Sequence, residues 1–133
     1  MKIAVLSERE DGEQRVAATP ETVRKLAALG AGVAVEAAAG AGANISHPDF
    51  AAAGATLGAR AEVLAGADIV LAVQGPDPSS LDGAKPGAVV IGALNPFGRR
   101  ERVDAYAAAG LEALAMEFLP RITRAQSMDI LSS

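Results

Sequence analysis

The sequence predicts an α/β protein with an open, mostly parallel sheet and flanking helices. Continuous apolar runs, such as DIVLAV (68–73) and AVVIGAL (88–94), are typical of parallel strands that are covered on both faces. Segments with the pattern of amphipathic helices alternate with these runs. That alternation predicts strands joined by right-handed helical crossovers.

The first half of the chain is expected to begin with a strand at 3–6, followed by a helix at 19–30 and a second strand at 33–36. Thr19 is a suitable N-cap, Pro20 fits the first turn, and Gly30 is a typical helix end. The following AAAGAGAN stretch predicts a flexible turn rather than a phosphate loop, because no third glycine has the required spacing.

The second half is expected to begin with a short helix that ends near Gly54, because Ser46 and Asp49 have the spacing of a capping box. His47, the single histidine, falls in its first turn and is predicted to be solvated rather than catalytic. The remaining elements are predicted to be strands at 68–73, 88–94 and 112–116, with a helix at 99–110 before the last strand.

The composition indicates one domain of 133 residues and excludes several functions. The net charge of −4 argues against a broad nucleic-acid surface. The absence of cysteine excludes thiolate nucleophiles, disulfides and zinc–thiolate sites, and no metal site is predicted. No apolar run approaches the eighteen or so residues of a membrane span, so no direct membrane insertion is expected.

Polar residues that follow strands define a candidate crevice. In open parallel sheets, ligands bind beyond the carboxyl ends of the strands. Arg15, Gln74, Asn95 and the segment 119–126 all follow predicted strands and are expected at this edge.

Four stretches resemble a known family. PRITRAQSMDILSS (120–133) closely resembles the soluble NAD(H)-binding component of proton-translocating NAD(P) transhydrogenases. GEQRVAATPETVRKLAALG (12–30) is similar to an amino-terminal signature that this family shares with alanine dehydrogenases. VEAAAGAGANISHPDFAAAGA (35–55) and DIVLAVQGP (68–76) resemble the blocks that follow, so the similarity spans the whole chain.

The resemblance implies a Rossmann-like (flavodoxin-like) fold, as in the first of two lobes. Residues 1–122 would form this lobe, and residues 123–133 would start the helix that joins the lobes. The second lobe of the family carries a glycine-rich dinucleotide fingerprint, and this sequence contains no such strand–GxGxxG–helix unit. The chain is therefore expected to be a truncated portion of a two-lobe protein.

The function implied by the resemblance is hydride transfer between NAD(H) and NADP(H), coupled to proton translocation by membrane partners. The cofactors carry this chemistry, so no catalytic side chain is expected. Arg121 and Asp129 would lie at the nicotinamide end of the NAD(H) site, and Ser132 would bind the carboxamide region. Gln126 would reach towards NADP(H) on a partner component.

The implied partners are membrane-spanning proton-conducting and NADP(H)-binding components. The resemblance further implies a homodimer that is peripheral on the cytoplasmic face of the membrane, with an isolated chain that is inactive. From the residues alone, other interpretations stay open: Gln126 as a helix cap, Arg121 with Asp129 as a solvated ion pair, and Ser132 as an exposed serine.

Two other functions remain as alternatives. An alanine dehydrogenase-like lobe would need a lysine at the position of Gln74 and a histidine after the next strand, and both are missing from this sequence. Arg15 is present, and two roles stay open for it: to bind a substrate carboxylate, or to form a loop ion pair near Glu13. The second alternative is a non-catalytic lobe that assembles with partners.

Overall fold

The computed structural model describes residues 1–9, 13–43, 45–94 and 98–115. The described strands form one all-parallel sheet in the order β3-β2-β1-β4-β5-β6, which confirms the predicted α/β class. The strands are β1 (Lys2–Val5), β2 (Gly32–Glu36), β3 (Thr56–Gly58), β4 (Ile69–Gln74), β5 (Val89–Ala93) and β6 (Glu112–Ala115).

The helices are α1 (Pro20–Ala28), α2 (His47–Ala52), α3 (Arg60–Leu64) and α4 (Arg100–Ala108), with short 3-10 turns at Ala41–Ala43 and Pro78–Leu81. The predicted caps are confirmed. The Thr19 side chain accepts a hydrogen bond from the Thr22 backbone N–H at 3.3 Å. Ser46 and Asp49 form the reciprocal capping box that starts α2.

The short elements β3 and α3 were not predicted. β3 has only three residues and α3 only five, and α3 has no side-chain N-cap, so neither carries a strong local signal. Without β3, the five predicted strands have the flavodoxin-like order 2-1-3-4-5, whereas the short edge strand completes the six-stranded Rossmann order.

His47 has a structural role that the sequence did not indicate. Its Nε2 accepts a hydrogen bond from the Ala38 backbone N–H at 2.8 Å. Ala38 has a φ of 69°, a left-handed conformation that a non-glycine residue adopts only at a cost. The exposed histidine therefore helps to hold the turn that follows β2.

Each face of the sheet carries its own core cluster. Face A is covered over β1 and β2 by α1 and α2, which contribute Val23 and Phe50, together with residues 16–18. Face B is covered by α3, by the 78–81 turn and by α4, which contribute Leu64, Leu81 and Tyr106. Crossovers that lead from β1 towards β3 therefore lie on face A, and those that lead from β3 towards β6 lie on face B. This is the arrangement that a single crossover hand produces.

Candidate functional site

The candidate site lies at the carboxyl ends of β1 and β4. These strands are neighbours in the sheet but are not consecutive in the chain, so the connections that follow them diverge. The place where the connections diverge is a topological switch point, and it leaves a crevice outside the sheet. This crevice is the usual ligand position in open α/β folds. Segments after β1, β2 and β4 meet there with the start of α3.

A buried ion pair forms the base of this crevice. Arg60 Nε and Nη2 both lie 2.9 Å from Glu36 Oε1, and the two side chains are only 11% and 10% exposed. Arg60 also donates to the Ser7 carbonyl and to the Ser80 hydroxyl, each at 2.9 Å. Glu36 accepts a further hydrogen bond from the Ser7 N–H at 2.9 Å. These bonds join the segment after β1, the end of β2, the 78–81 turn and α3.

Glu8 connects the β1 loop to the end of β4. Its carboxylate accepts hydrogen bonds from the backbone N–H groups of Val73 and Gln74, at 2.9 and 2.8 Å. Burial raises the pKa of Glu8, against the opposing effect of these hydrogen bonds. The register between β4 and β5 shifts between Leu71 and Gln74, so Glu8 supports the strand where its regular pairing ends. We refer to Glu8, Glu36, Arg60 and Ser80 as the inner cluster.

A second group, the outer cluster, consists of Glu13, Arg15 and Gln74. Arg15 Nε and Nη2 donate to the two carboxylate oxygens of Glu13 at 2.9 and 2.8 Å. Gln74 Nε2 donates to Glu13 Oε1 at 2.9 Å. The hydrogen bonds from Arg15 lower the pKa of Glu13 to about 2, although burial opposes this shift and Gln74 adds a smaller contribution. Arg15 is 56% exposed, whereas Glu13 is only 8% exposed.

The turn after β4 is held from α4. Arg102 Nη1 donates to the Gly75 carbonyl at 2.6 Å, and the Tyr106 hydroxyl donates to the Pro76 carbonyl. Tyr106 is fully buried, and burial raises its pKa to about 12. This tyrosine therefore acts as a neutral anchor for the turn and not as a proton donor near neutral pH.

A cavity of about 190 Å³ opens between these groups. This volume is below the roughly 300–1,000 Å³ of typical small-molecule sites, so the described residues suit one wall of a larger site. The lining comes from the segment after β1, the end of β4 and the segment that follows it, the start of α3 and one residue of α4: Leu6, Ser7, Glu8, Arg9, Arg60, Ala72, Gln74, Gly75, Pro76, Asp77, Ser80 and Arg102.

The described portion of this crevice consists largely of ion pairs and of hydrogen bonds between charged side chains and backbone groups. Within residues 1–9, 13–43, 45–94 and 98–115, no group of three or more histidine, cysteine or carboxylate residues is placed to hold a metal ion. The same residues contain no helix long and apolar enough to cross a membrane. His47 is the first residue of α2, and its Nε2 accepts a hydrogen bond from the backbone N–H of Ala38.

The predicted site residues divide into two groups. Arg15 and Gln74 are brought together as expected, and Glu13 bridges them in the ion pair that the sequence left as an alternative. Asn95, the segment 119–126, and the four proposed cofactor ligands lie outside the described residues; these ligands are Arg121, Gln126, Asp129 and Ser132.

Sequence reasoning missed the inner cluster. Glu8 and Glu36 stand at or just after the ends of strands, and that position was the available signal. Arg60 follows the strand β3 and Ser80 lies within the turn at 78–81, and neither of these elements was predicted. Their convergence depends on the position of α3 against the sheet.

Comparisons with known proteins agree with the α/β fold. A family model described as alanine dehydrogenase/PNT, N-terminal domain, matches residues 4–133. A Rhodospirillum rubrum protein, named as the first portion of NAD(P) transhydrogenase subunit alpha, is 47% identical over 141 residues. That alignment covers 100% of this chain and 36% of the relative.

Two solved structures share the fold. A transhydrogenase from Sinorhizobium meliloti matches with a TM-score of 0.88 and 43% identity, over 97% of this chain and 39% of that one. An L-alanine dehydrogenase matches with a TM-score of 0.79 and 30% identity, over 88% of this chain and 32% of that one. The chain therefore spans between about a third and two-fifths of the length of these proteins.

Proposed function

The chain belongs to the alanine dehydrogenase/PNT N-terminal domain family, and on this premise we propose that it forms the first lobe of the NAD(H)-binding component of a proton-translocating NAD(P) transhydrogenase. In this function, a hydride passes between NAD(H) and NADP(H), and membrane-spanning partners couple the exchange to proton translocation. The complete activity belongs to the assembled complex, and the chain alone is inactive.

The observation that carries this proposal is the outer cluster. An amino-acid dehydrogenase must bind the carboxylate of its substrate. Arg15 and Gln74 occupy the positions at which we would expect that carboxylate to bind. Here both side chains bind the carboxylate of Glu13. Gln74 is also neutral and cannot donate a proton as an acid. The cluster therefore favours hydride exchange between cofactors over reduction of an imino acid.

The first βα connection supports a division of labour between two lobes. In a dinucleotide-binding unit, a short glycine-rich turn joins the first strand to the helix whose N-terminus binds the pyrophosphate. In this chain β1 ends at Val5 and α1 begins only at Pro20. We assign the pyrophosphate site to a second lobe, which residues 123–133 would join to the lobe formed by residues 1–122.

The proposed ligands of the nicotinamide end are Arg121, Gln126, Asp129 and Ser132. Bound NAD(H) supplies the hydride, so these residues have only to orient the ring and to exclude water. Arg121 and Asp129 would hold the nicotinamide end, Ser132 the carboxamide region, and Gln126 would approach NADP(H) on the partner component. The crevice at the switch point fits one wall of this arrangement, because it presents hydrogen-bonding groups but encloses only a small volume.

The proposed assembly follows from the same assignment. The component would be a homodimer that binds peripherally, on the cytoplasmic face of the membrane, to proton-conducting and NADP(H)-binding components. The Rhodospirillum rubrum relative is named as one portion of an alpha subunit, and this name supports a multi-component enzyme.

A chimera tests the proposal. This chain would replace the corresponding first third of the Rhodospirillum rubrum protein, and NADH-dependent reduction of NADP⁺ would be measured with the partner components added. We expect exchange in the chimera and a loss of about 100-fold in Gln126→Ala and Asp129→Ala, because misplaced reactants lose rate steeply. Leu29→Ala, which changes an exposed side chain at the C-cap of α1, is the matched control.

An unchanged exchange rate in both site variants would contradict the assigned ligands. Alanine-dependent reduction of NAD⁺ by the chimera would instead support the dehydrogenase alternative. Both the test of the ligands and the test of the dehydrogenase alternative require an active chimera. Circular dichroism of each variant would therefore be measured first, to establish that the lobe is folded.

A further inference from the structure

Gln74 is held through its backbone and its side chain, and one side-chain atom is left without a partner. Its backbone N–H donates to Glu8 Oε1 at 2.8 Å, and its Nε2 donates to Glu13 Oε1 at 2.9 Å. Among the described residues, none donates a hydrogen bond to Gln74 Oε1. This oxygen is not sealed from solvent, because the described residues include no buried side-chain oxygen without a partner.

The partner of the amide nitrogen determines which atom stays available. A side-chain amide has a donor end and an acceptor end, whereas an ionised carboxylate can only accept. The hydrogen bonds from Arg15 lower the pKa of Glu13 to about 2, so Glu13 is ionised near neutral pH. It therefore binds the nitrogen end of Gln74, and the oxygen end remains for a ligand. Gln74 also lines the cavity at the switch point.

The backbone that carries this side chain is held on both sides. The Gly75 N–H donates to the Ala93 carbonyl at 2.9 Å. The Gly75 and Pro76 carbonyls accept hydrogen bonds from Arg102 and Tyr106. An acceptor that is already held in place loses little conformational freedom on binding, and this favours a ligand group of matching geometry.

The charges around this acceptor favour a neutral donor over a cation. The carboxylate of Glu13 is already paired with Arg15. The charged residues of the cavity lining are three arginines and two carboxylates: Arg9, Arg60, Arg102, Glu8 and Asp77. An ammonium group would therefore meet an excess of positive charge in this lining. An uncharged N–H or O–H group would not, so it is the expected partner of Gln74 Oε1.

We propose that Gln74 Oε1 accepts a hydrogen bond from the carboxamide N–H of a nicotinamide ring bound in the crevice, with Glu13 as the positioning residue that orients the Gln74 amide. This inference rests on the proposed function. A planar carboxamide holds its N–H donors in fixed directions, which suits a fixed acceptor better than a rotating hydroxyl. The hydroxyl proposed for this region, that of Ser132, would donate to the carboxamide carbonyl instead, so the two contacts use different atoms.

A cofactor analogue isolates this contact. In reduced 3-acetylpyridine adenine dinucleotide, a methyl group replaces the carboxamide NH2 and the ribose hydroxyls are kept. Isothermal titration would give the dissociation constants of NADH and of this analogue for the two-lobe chimera, with and without Gln74→Met. We expect this variant to weaken NADH binding about five- to tenfold, the effect of one neutral hydrogen bond. Binding of the analogue should change less than about twofold.

The ratio of the two dissociation constants separates this contact from a structural role. Ser80→Ala, which lines the same cavity, should change both constants by the same factor. Equal weakening of both ligands in Gln74→Met, as expected for a contact with a ribose hydroxyl or for altered folding, would overturn the proposal. Unchanged NADH binding would also overturn it. Either result in a chimera that still exchanges hydride would leave the proposed function intact.

Glu13→Gln tests the orientation without altering Gln74 itself. An amide at position 13 can accept or donate, so Gln74 could present either end to the ligand. With half of the molecules oriented correctly, NADH binding should weaken about twofold, and binding of the analogue should not change. The variant should remain folded, because Arg15 is largely exposed. Unchanged NADH binding, or equal weakening of both ligands, would refute the role of Glu13.

Discussion

The inner and outer clusters lie side by side at the same edge of the sheet, but they differ in how far their charged side chains are buried. In the inner cluster, Arg60 and Glu36 are both about nine-tenths buried, and Arg60 donates to partners on three segments. In the outer cluster, Glu13 is buried but its partner Arg15 is more than half exposed. Loss of one charged partner is therefore expected to cost more stability in the inner cluster than in the outer cluster.

The two glutamates of the β1 loop show the same contrast in their acidity. Burial dominates at Glu8 and raises its pKa, whereas the guanidinium of Arg15 dominates at Glu13 and lowers its pKa to about 2. Both carboxylates accept two or more hydrogen bonds, so the bonds alone do not set the direction. The direction of the pKa shift depends on whether a positively charged side chain is hydrogen-bonded to the buried carboxylate.

The largest effect is expected from breaking the inner ion pair. Arg60→Met would leave the buried Glu36 carboxylate with only the Ser7 N–H and the more exposed Arg9. Removing one partner of a buried pair costs about 3 kcal/mol or more in unfolding free energy. Urea denaturation would measure the loss. Arg24→Met, at an exposed position of α1, should change the unfolding free energy by less than about 0.5 kcal/mol. Similar small changes in both variants would show that Arg60 is not structurally important.

An intermediate effect is expected at Glu8. Glu8→Gln presents an amide group to one of the two backbone N–H donors, so it should cost about 1–2 kcal/mol at pH 7. The pKa of Glu8 is higher in the folded state, so the folded chain binds the extra proton first. Stability from this group therefore falls as pH rises from 4.5 through the folded pKa.

The Glu8→Gln variant lacks this titration. The difference in unfolding free energy between the original chain and the variant should therefore widen on acidification towards pH 4.5. Denaturation at several pH values checks this. A difference that narrows over that interval would mean that burial does not govern Glu8.

The smallest effect is expected in the outer cluster. Glu13→Gln should cost less than about 1 kcal/mol at pH 7, because its partner Arg15 is largely exposed to solvent. The sign of the pH dependence reverses here. The folded pKa of Glu13 lies below the unfolded value of 4.5, so the stabilisation is complete above pH 4.5 and is lost as pH falls towards about 2.

The same denaturation series compares the two glutamates. On acidification below pH 4.5, the original chain should lose stability relative to Glu13→Gln, the opposite trend to that with Glu8→Gln. A cost above that of Glu8→Gln at pH 7 would invert the proposed ranking of the clusters.

The sequence by itself determined the elements that depend on local patterns. Continuous apolar runs identified β1, β2, β4, β5 and β6, and the caps at Thr19 and Ser46 identified the starts of α1 and α2. These signals extend over a few residues, so neighbours in the chain suffice to predict them. The family resemblance was likewise confirmed over residues 4–133.

Only the tertiary structure decided which distant residues meet. Arg60 contacts Ser7 across 53 positions, Glu8 contacts Val73 across 65, and Gln74 contacts Glu13 across 61. Such contacts depend on strand order and on the face that each crossover takes, and no local pattern encodes either.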